Sequence, residues 1–202
     1  NGVYLVTTPL IVDRAIRVVS ANGPGATVID GGNATRCLHI AHAQAVVSGF
    51  TVRNGMTNGS GAGVWLTAGG TLADCVVVSN RAVGAGAEGG GVHLDGTGTV
   101  ARCVLQANRA EDDGGAMDCA AVGSRVENCL VTGNAAGDRA GGIYQRDRGT
   151  VINCTVADNA ATNHGGGVYL GSNARMLNTA LWGNVAPTGA NWFVGAGSTN
   201  LD

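Results

Sequence analysis

Apolar and polar residues alternate along much of the chain in short runs, and glycine-rich turns separate these runs. The segment 89–108, which reads GGGVHLDGTGTVARCVLQAN, shows the pattern well, since apolar residues flank both His93 and Val104. A period of two residues is typical of a β-strand with one buried face. The intervals between the apolar runs are too short for crossover helices. We therefore predict three short strands in this segment, at 91–94, around 99–100 and at 103–107.

A repeat of about 25 residues runs through the chain. Asparagine recurs with spacings of 26, 28, 26, 25 and 25 residues, at Asn54, Asn80, Asn108, Asn134, Asn159 and Asn184. A cysteine stands five positions before four of these asparagines, at Cys75, Cys103, Cys129 and Cys154. A unit this short cannot bury its own apolar face and must stack on similar neighbours. The sequence therefore predicts an all-β fold, a right-handed parallel β-helix with three short strands per coil and about seven to eight coils.

A single domain is expected to cover residues 1–202. Within it, 1–54 would form less regular N-terminal coils, 55–190 the regular repeats and 191–202 a final incomplete coil. The final coil has neither a polar cap nor an amphipathic helix. An exposed coil end leaves backbone groups unpaired and an apolar cross-section open, so we expect either that more protein follows at each end or that copies stack end to end.

Stacked coils should place equivalent residues about 4.8 Å apart, so that like side chains form columns. We expect a core column at Leu38, Val64, Val92, Ala116, Ile143 and Val168. A second column should form the corner between the second and third strands, at Asp74, Arg102, Asn128, Asn153 and Asn178. The repeated asparagines are interpreted as a structural ladder, because asparagine tolerates left-handed backbone geometry and bonds nearby backbone groups at turns.

The four repeated cysteines are also interpreted as structural. They lie too far apart in sequence to form a CxxC-type metal site. Stacked Cα atoms about 4.8 Å apart fall within the disulfide range, so pairs such as Cys75–Cys103 and Cys129–Cys154 remain open. Buried free thiols that act as small apolar side chains are the favoured interpretation. Cys37 and Cys119 lie off this column.

The outward position of the first strand provides the main candidate for a binding surface. It is predicted to hold His39, Trp65, His93, Met117, Tyr144, Tyr169 and Phe193. Aromatic rings aligned along a flat sheet can pack on the apolar faces of sugars. The candidate glycan-binding residues are therefore Trp65, His93, Tyr144 and Tyr169. The alternative is cross-strand packing of these rings beneath the loops that follow the asparagines.

Acidic residues gather in the loops between the asparagines and the glycine pairs, at Glu88, Glu111, Asp112, Asp113 and Asp138. Calcium accepts carboxylate and carbonyl oxygens in flexible geometry, which makes the first four of these residues calcium candidates. The chain has no GGxGxDxUx calcium loop, and solvated loop charge partly paired with Arg109 and Arg139 is the favoured interpretation. We therefore predict no resident cofactor.

Catalysis on a β-helix would require carboxylates or a base that face a groove. The nearest constellation on adjacent coils is His93, Asp95, Asp118, Tyr144, Arg146 and Asp147, of which His93, Asp95 and Tyr144 are the candidate catalytic residues. His93 and Asp95 alternate onto the same face of one strand. No pair of carboxylates occupies equivalent groove positions, so a noncatalytic function is favoured.

Charge and hydropathy exclude two classes of partner. Charged residues make up only 13% of the chain and the net charge is −2, whereas a nucleic-acid surface needs clustered cations. No apolar run reaches the length that spans a bilayer, so we expect no membrane insertion by this segment.

The motifs GGVH, GGAM, GGIY and GGVY alternate with VVSN, LQAN, VTGN and VADN. This alternation resembles the chlamydial polymorphic outer membrane protein repeats, in which a GGAI-type motif alternates with an FxxN-type motif. The resemblance covers roughly residues 49–184, with Val or Leu where the family has phenylalanine. More broadly, the chain resembles secreted bacterial right-handed β-helix proteins of pectate-lyase-like architecture. The resemblance implies an extracellular or cell-surface location in a bacterium and a role in adhesion.

These observations predict a noncatalytic extracellular or cell-surface β-helix module with a structural or adhesive role. Its expected partner is a polysaccharide or a host or cell-surface glycan bound along the aromatic column. Two alternatives stay open: a polysaccharide-active lyase, hydrolase or epimerase, and a protomer of an axially stacked surface filament.

Overall fold

The alternating apolar residues form short strands, and successive strands pair in parallel one coil apart. The computed structural model describes residues 1–195 and shows an all-β parallel solenoid of about eight turns of about 25 residues. The predicted fold class is therefore confirmed. Residues 196–202, the larger part of the predicted final coil, lie outside the described residues. Within residues 1–195 no segment forms a helix of the length and hydropathy that a membrane span requires.

Four parallel sheets run along the solenoid. Sheet 1 contains Leu10–Val12, Leu38–Ile40, Val64–Leu66, Val92–Leu94, Met117–Cys119, Ile143–Asp147, Val168–Ser172 and Trp192–Val194. Sheet 2 contains Arg17–Val19, Val46–Ser48, Gly70–Ala73, Gly98–Ala101, Arg125–Glu127, Thr150–Ile152 and Arg175–Leu177. Sheet 3 contains Gly2–Leu5, Thr27–Asp30, Thr51–Arg53, Val76–Val78, Val104–Gln106, Leu130–Thr132, Thr155–Ala157 and Ala180–Trp182. Sheet 4 contains Met56–Asn58, Arg81–Val83, Arg109–Ala110, Ala135–Ala136 and Ala160–Ala161.

The central coils thus contain a fourth strand in addition to the three that the sequence predicts. This strand follows the repeated asparagine directly, as Arg109–Ala110 follows Asn108. It is only two or three residues long, which is too short for a period of two to be visible in the sequence.

Inward-facing side chains of sheets 1 to 3 fill the main apolar core, and a second, smaller cluster includes Ala82 and Ala110 of sheet 4. In sheet 1 the inward column runs through Leu38, Val64, Val92, Met117, Ile143 and Val168. The prediction of Ala116 in this column is wrong by one residue, because Met117 pairs with Val92 and Ile143 and is fully buried. The outward prediction of Met117 is wrong for the same reason, and Asp118 takes that outward position between His93 and Tyr144.

The offset arises in the glycine run that opens the strand. Gly89 and Gly114 occupy equivalent left-handed positions, with φ of 59° and 65°. The two residues after Gly89 are both glycine, whereas Gly114 is followed by one glycine and then by Ala116. Ala116 therefore occupies the position that Gly91 has in the neighbouring coil. Aligning Gly114-Gly115 with Gly90-Gly91 places the strand one residue too early.

The predicted corner column is confirmed. All five residues have left-handed backbone geometry between sheets 2 and 3, with φ of 53°, 52°, 54°, 54° and 43° at Asp74, Arg102, Asn128, Asn153 and Asn178. Residues with short polar side chains adopt this geometry most readily, which explains why asparagine dominates the column.

Five of the six repeated asparagines form a buried side-chain ladder. The Nδ2 atom of each donates to the Oδ1 atom of the next, at 2.9 Å, 3.0 Å, 2.8 Å and 3.0 Å along Asn80, Asn108, Asn134, Asn159 and Asn184. Asn54 lies one position earlier than these residues and donates to Asp30 instead, while the backbone of Gly55 donates to Asn80 Oδ1 at 2.8 Å. The left-handed residue is the one before each ladder position, for example Ala107 with φ of 52°, so the ladder asparagines serve as side-chain linkers rather than as left-handed turns.

The four repeated cysteines lie in one buried column, as the register of sheet 3 requires. The backbone N–H of Cys103 donates to Cys129 Sγ at 3.5 Å, which shows how closely neighbouring members pack. All six cysteines of the chain are free thiols in this structure. They fill the core as small apolar side chains, in line with the favoured interpretation.

Candidate functional site

The outer face of sheet 1 brings most of the predicted functional residues together. Its aligned outward side chains are His39, Trp65, His93, Asp118, Tyr144, Tyr169 and Phe193. Neighbouring members come from successive coils, so residues about 25 positions apart in sequence become adjacent. We call the charged group around His93 on this face the His93 cluster; it comprises Glu88, His93, Asp95, Asp113, Asp118 and Arg146.

His93 lies between two carboxylates. Its Nε2 atom is 2.9 Å from Asp95 Oδ1, and its Nδ1 atom is 3.0 Å from Asp118 Oδ2. The His93 side chain is 5% exposed and that of Asp118 is fully buried, whereas Asp95 reaches solvent. Burial lowers the pKa of His93, but the nearby carboxylates of Asp118 and Asp95 outweigh this effect and raise it above its usual value.

Arg146 links the acidic members of the cluster. Its Nε atom donates to Asp118 Oδ1 at 2.8 Å, and its Nη2 atom contacts Glu88 Oε1. Asp113 Oδ2 lies 4.0 Å from the same Nη2 atom. One guanidinium group therefore faces three carboxyl groups from two successive coils, and it holds the Glu88 loop against sheet 1.

Two carboxyl groups of the cluster resist ionisation. Burial raises the pKa of Asp113 to about 6, although Arg139 acts in the opposite direction. Burial and the nearby Asp118 carboxylate raise the pKa of Glu88, although Arg146 lowers it. Carboxyl groups with raised pKa values near a histidine are common at functional sites.

Tyr144 and Tyr169 follow Asp118 in the outward column of sheet 1, on the C-terminal side of the His93 cluster. Their ring centres lie 4.7 Å apart, and the Tyr169 ring also packs on Phe193 at 5.2 Å. Arg139 Nη1 donates to the Tyr144 hydroxyl at 3.3 Å. The guanidinium group of Arg146 lies 4.7 Å from the centre of the Tyr144 ring.

Trp65 lies next to His93 in the outward column of sheet 1, on the N-terminal side of the cluster. Its ring stacks on His39 with centres 4.9 Å apart, and the guanidinium group of Arg36 lies 4.5 Å from its centre. Trp65 Nε1 donates to Asp95 Oδ2 at 2.7 Å. The expected row of exposed aromatic rings is therefore present only in part. Trp65 and Tyr169 are partly exposed, whereas Tyr144 and His93 are buried. The two buried rings pack beneath loops, which was the alternative interpretation.

The predicted calcium candidates separate into two places. Donor atoms of Glu88, Asp112 and Asp113 lie within 4.8 Å of one another. Glu111 points elsewhere, since its carboxylate accepts from Arg81 Nη2 at 3.0 Å and from the Gly84 backbone at 2.7 Å. A second group, Glu88, His93 and Asp118, also falls within 4.8 Å and shares Glu88 with the first.

The predicted catalytic constellation is assembled except at one position. The structure brings His93, Asp95, Asp118, Tyr144 and Arg146 onto one face, while Asp147 contacts the neighbouring Arg148 at 4.0 Å. The partnership of Glu88 with this group was not expected from the sequence. Glu88 and Arg146 are 58 residues apart, and only the path of the loop after Asn80 brings them together.

Comparisons with protein families, with curated proteins and with solved structures found no match for this chain. The resemblance to polymorphic outer membrane protein repeats and to pectate-lyase-like proteins thus has no support from these comparisons, and the fold shown by the chain is a parallel β-solenoid.

Proposed function

We propose that this chain is a noncatalytic module of an extracellular or cell-surface bacterial protein, with a structural or adhesive role, and that it contacts glycan on the outer face of sheet 1. The observation that carries this proposal is the Trp65–Asp95 pair. The Asp95 side chain is 43% exposed and is fixed by both Trp65 Nε1 and His93 Nε2. A fixed carboxylate beside a partly exposed aromatic ring suits a sugar, whose hydroxyls can donate to the carboxylate while its C–H groups pack on the ring.

Charge pairing within the His93 cluster supports a noncatalytic role. Asp118 is fully buried and gives one carboxylate oxygen to Arg146, as does Glu88. A general acid or base must come within hydrogen-bond distance of the substrate proton. Carboxylates that are held by Arg146 in this way are poorly placed for that task.

The proposed location and adhesive role draw support from the repeated motifs. The GGxx and xxxN tetrapeptides resemble those of surface-exposed bacterial repeat proteins, and a long stacked sheet offers a regular surface to an extended polymer. Glycan contact at one point of this surface, the Trp65–Asp95 pair, would give such a module its attachment site.

Glycan-array binding with matched variants tests the proposal. Asp95→Asn keeps the shape of an exposed side chain but removes its charge, and Trp65→Ala removes the ring; each is expected to weaken binding at least tenfold. Trp182→Ala is the control, because Trp182 is a 51% exposed tryptophan on sheet 3 and should bind like the wild type. Absence of glycan binding by the wild type, or equal binding by all variants, would contradict the proposal.

A polysaccharide-active lyase, hydrolase or epimerase is the second candidate. The observation that favours it is the pKa of Asp113, raised to about 6 by burial, beside Glu88, since such a pair can hold a proton near neutral pH. Incubation with uronate and neutral polysaccharides should then yield shortened, unsaturated or epimerised products, and Asp113→Asn should abolish them. If the wild type yields no product from any polymer, this candidate is excluded.

Axial assembly into a surface filament is the third candidate. The N-terminal end of the solenoid exposes apolar side chains, including Val3, Leu5 and Val19 at 59%, 68% and 53%. A cleft of about 540 Å³ at this end is lined by Tyr4, Leu10 and Phe50 among others. Exposed apolar surface of this kind favours association. Light scattering should then show assembly that grows with concentration and that Leu5→Asp reduces, whereas a strictly monomeric wild type would exclude it.

A further inference from the structure

Two buried polar atoms in the His93 cluster have no hydrogen-bond partner among the described residues, namely His93 Nδ1 and Asp118 Oδ2. They lie only 3.0 Å apart, but their relative orientation is not that of a hydrogen bond. Both side chains are at least nine-tenths buried. Unpaired polar atoms in such a position reduce stability unless another ligand satisfies them.

Glu88 completes a set of three donors around these atoms. Donor atoms of Glu88, His93 and Asp118 all lie within 4.8 Å of one another. Asp118 uses Oδ1 and Glu88 uses Oε1 to bind Arg146, which leaves one oxygen of each carboxylate for another ligand. Ligand atoms held at about 2.1 Å from a tetrahedral zinc ion lie about 3.4 Å apart, so the 3.0 Å between His93 Nδ1 and Asp118 Oδ2 needs only a small adjustment to hold a shared ion.

The orientation of His93 also suits metal binding. Its Nε2 atom is 2.9 Å from Asp95 Oδ1, an arrangement in which Nε2 carries the proton and donates it to the carboxylate. Metal binding requires the neutral imidazole, in which a proton on Nε2 leaves Nδ1 with a free lone pair. A carboxylate that binds the second nitrogen of a histidine is the usual support for a metal-ligating imidazole.

Negative charge exceeds positive charge around this set. Glu88, Asp112, Asp113 and Asp118 gather here, and the guanidinium groups in contact with them are those of Arg139 and Arg146. Two guanidinium groups therefore face four carboxyl groups. A divalent cation would balance the charge.

We propose that Glu88, His93 and Asp118 form a binding site for a divalent transition-metal ion, of which zinc is the representative. The imidazole nitrogen selects zinc over calcium, because calcium takes oxygen ligands in larger number. Asp112 and Asp113 lie next to this site and increase its affinity for cations through charge. The site differs from the calcium site that the sequence suggested, since it includes a histidine and excludes Glu111. It does not depend on glycan contact.

Isothermal titration of the full chain with zinc chloride, and separately with calcium chloride, tests this proposal. One zinc ion per chain is expected to bind, with no comparable binding of calcium. Glu88→Gln keeps the size of a half-buried side chain and should weaken zinc binding at least tenfold. Glu111→Gln is the matched control, because Glu111 pairs with Arg81 outside the site, and it should bind zinc like the wild type. Circular dichroism confirms that both variants are folded.

The proposal is overturned if zinc does not bind, if Glu88→Gln binds it as tightly as the wild type, or if calcium binds equally well. Nitrogen-15 NMR of the histidine rings gives a second readout that is independent of any variant. Zinc should shift the Nδ1 resonance of His93 while the Nε2 proton persists. A response at His39, His42 or His164 with none at His93 would place the ion elsewhere, and two retained protons on His93 would show an imidazolium between two carboxylates instead of a metal ligand.

Discussion

A single buried asparagine shows how much one residue contributes to this solenoid. Asn134 Oδ1 accepts from the backbone and side chain of Asn108 at 2.9 Å and 3.0 Å. Its Nδ2 atom donates to Leu105 O at 3.0 Å and to Asn159 Oδ1 at 2.8 Å. All four bonds run to neighbouring coils, where no water competes for them. Buried amides that are satisfied in this way fix one register, because any shift leaves several of them unpaired.

Substitution of one ladder residue should therefore destabilise the whole domain. Asn134→Ala removes the acceptor of the Asn108 backbone N–H and one hydrogen bond each from Asn108 Nδ2, Leu105 O, Thr132 O and Asn159 Oδ1, and we expect the free energy of unfolding to fall by about 3 kcal/mol or more. Asn22→Ala is the control, since Asn22 is exposed and its side chain donates to Asn1 Oδ1 at 2.9 Å, and it should lie within about 0.5 kcal/mol of the wild type. Urea unfolding curves of the three proteins measure these differences. Equal midpoints for all three would contradict the role of the ladder.

The single residue Asp30 should make the stability of the domain depend on pH. Burial raises its pKa, but hydrogen bonds from the Gly32 backbone, Arg53 and Asn54 outweigh this effect and lower the pKa below its usual value of 3.8. The stability that the ionised Asp30 contributes is then present above about pH 4 and is lost as the pH falls through the lowered pKa. Asp30→Asn should therefore unfold more readily than the wild type at pH 7, and the difference should shrink below about pH 4.

Thermal unfolding of both proteins between pH 2.5 and pH 8 measures this dependence. Asp13→Asn is the matched control, because the Asp13 side chain is 63% exposed and its nearest cationic atom is 3.9 Å away. A constant difference between wild type and Asp30→Asn across this range would show that the charge of Asp30 does not contribute to stability.

At the scale of the element, strand register decides which face each side chain joins. A shift of one residue moves a side chain from the core to the outer face. The sequence predicts the strands of sheets 1 to 3 because their apolar residues alternate, yet it places Met117 on the wrong face. The reason is that Gly114, Gly115 and Ala116 precede this strand, so alanine occupies the position of the third glycine in the neighbouring coil. A count based on glycines alone then starts the strand at Ala116. The strands of sheet 4 escape prediction because two residues cannot show a period.

Met117 provides a test of the corrected register. It is fully buried in the column between Val92 and Ile143, so Met117→Ala should lower the free energy of unfolding by about 2–5 kcal/mol through lost burial and a residual cavity. Met56→Ala is the control, because Met56 is only half-buried at the start of a strand in sheet 4, and it should cost clearly less. Chemical denaturation measures both. If the two substitutions cost the same small amount, Met117 faces outward and the register is wrong.

At the scale of the whole molecule, stacking of the coils brings residues that are distant in sequence together in one site. Glu88, His93, Asp118 and Arg146 come from three coils, and the chain brings them together only because each coil lies directly on the next. The sequence reveals the period, and with it the columns that hold most of these residues. It does not reveal Glu88 as a partner of Arg146, because a loop carries no periodic signal that fixes its path. The burial of Tyr144 was equally invisible, since it depends on the loops that cover the sheet.

A crystal structure of the chain at a resolution that defines side chains would test the stacking register. We expect a continuous amide ladder from Asn80 to Asn184, with Asp118 beside His93 on the outer face and Met117 in the core. Helices between the strands, a broken ladder, or an outward Met117 with Asp118 turned away from His93 would contradict this register.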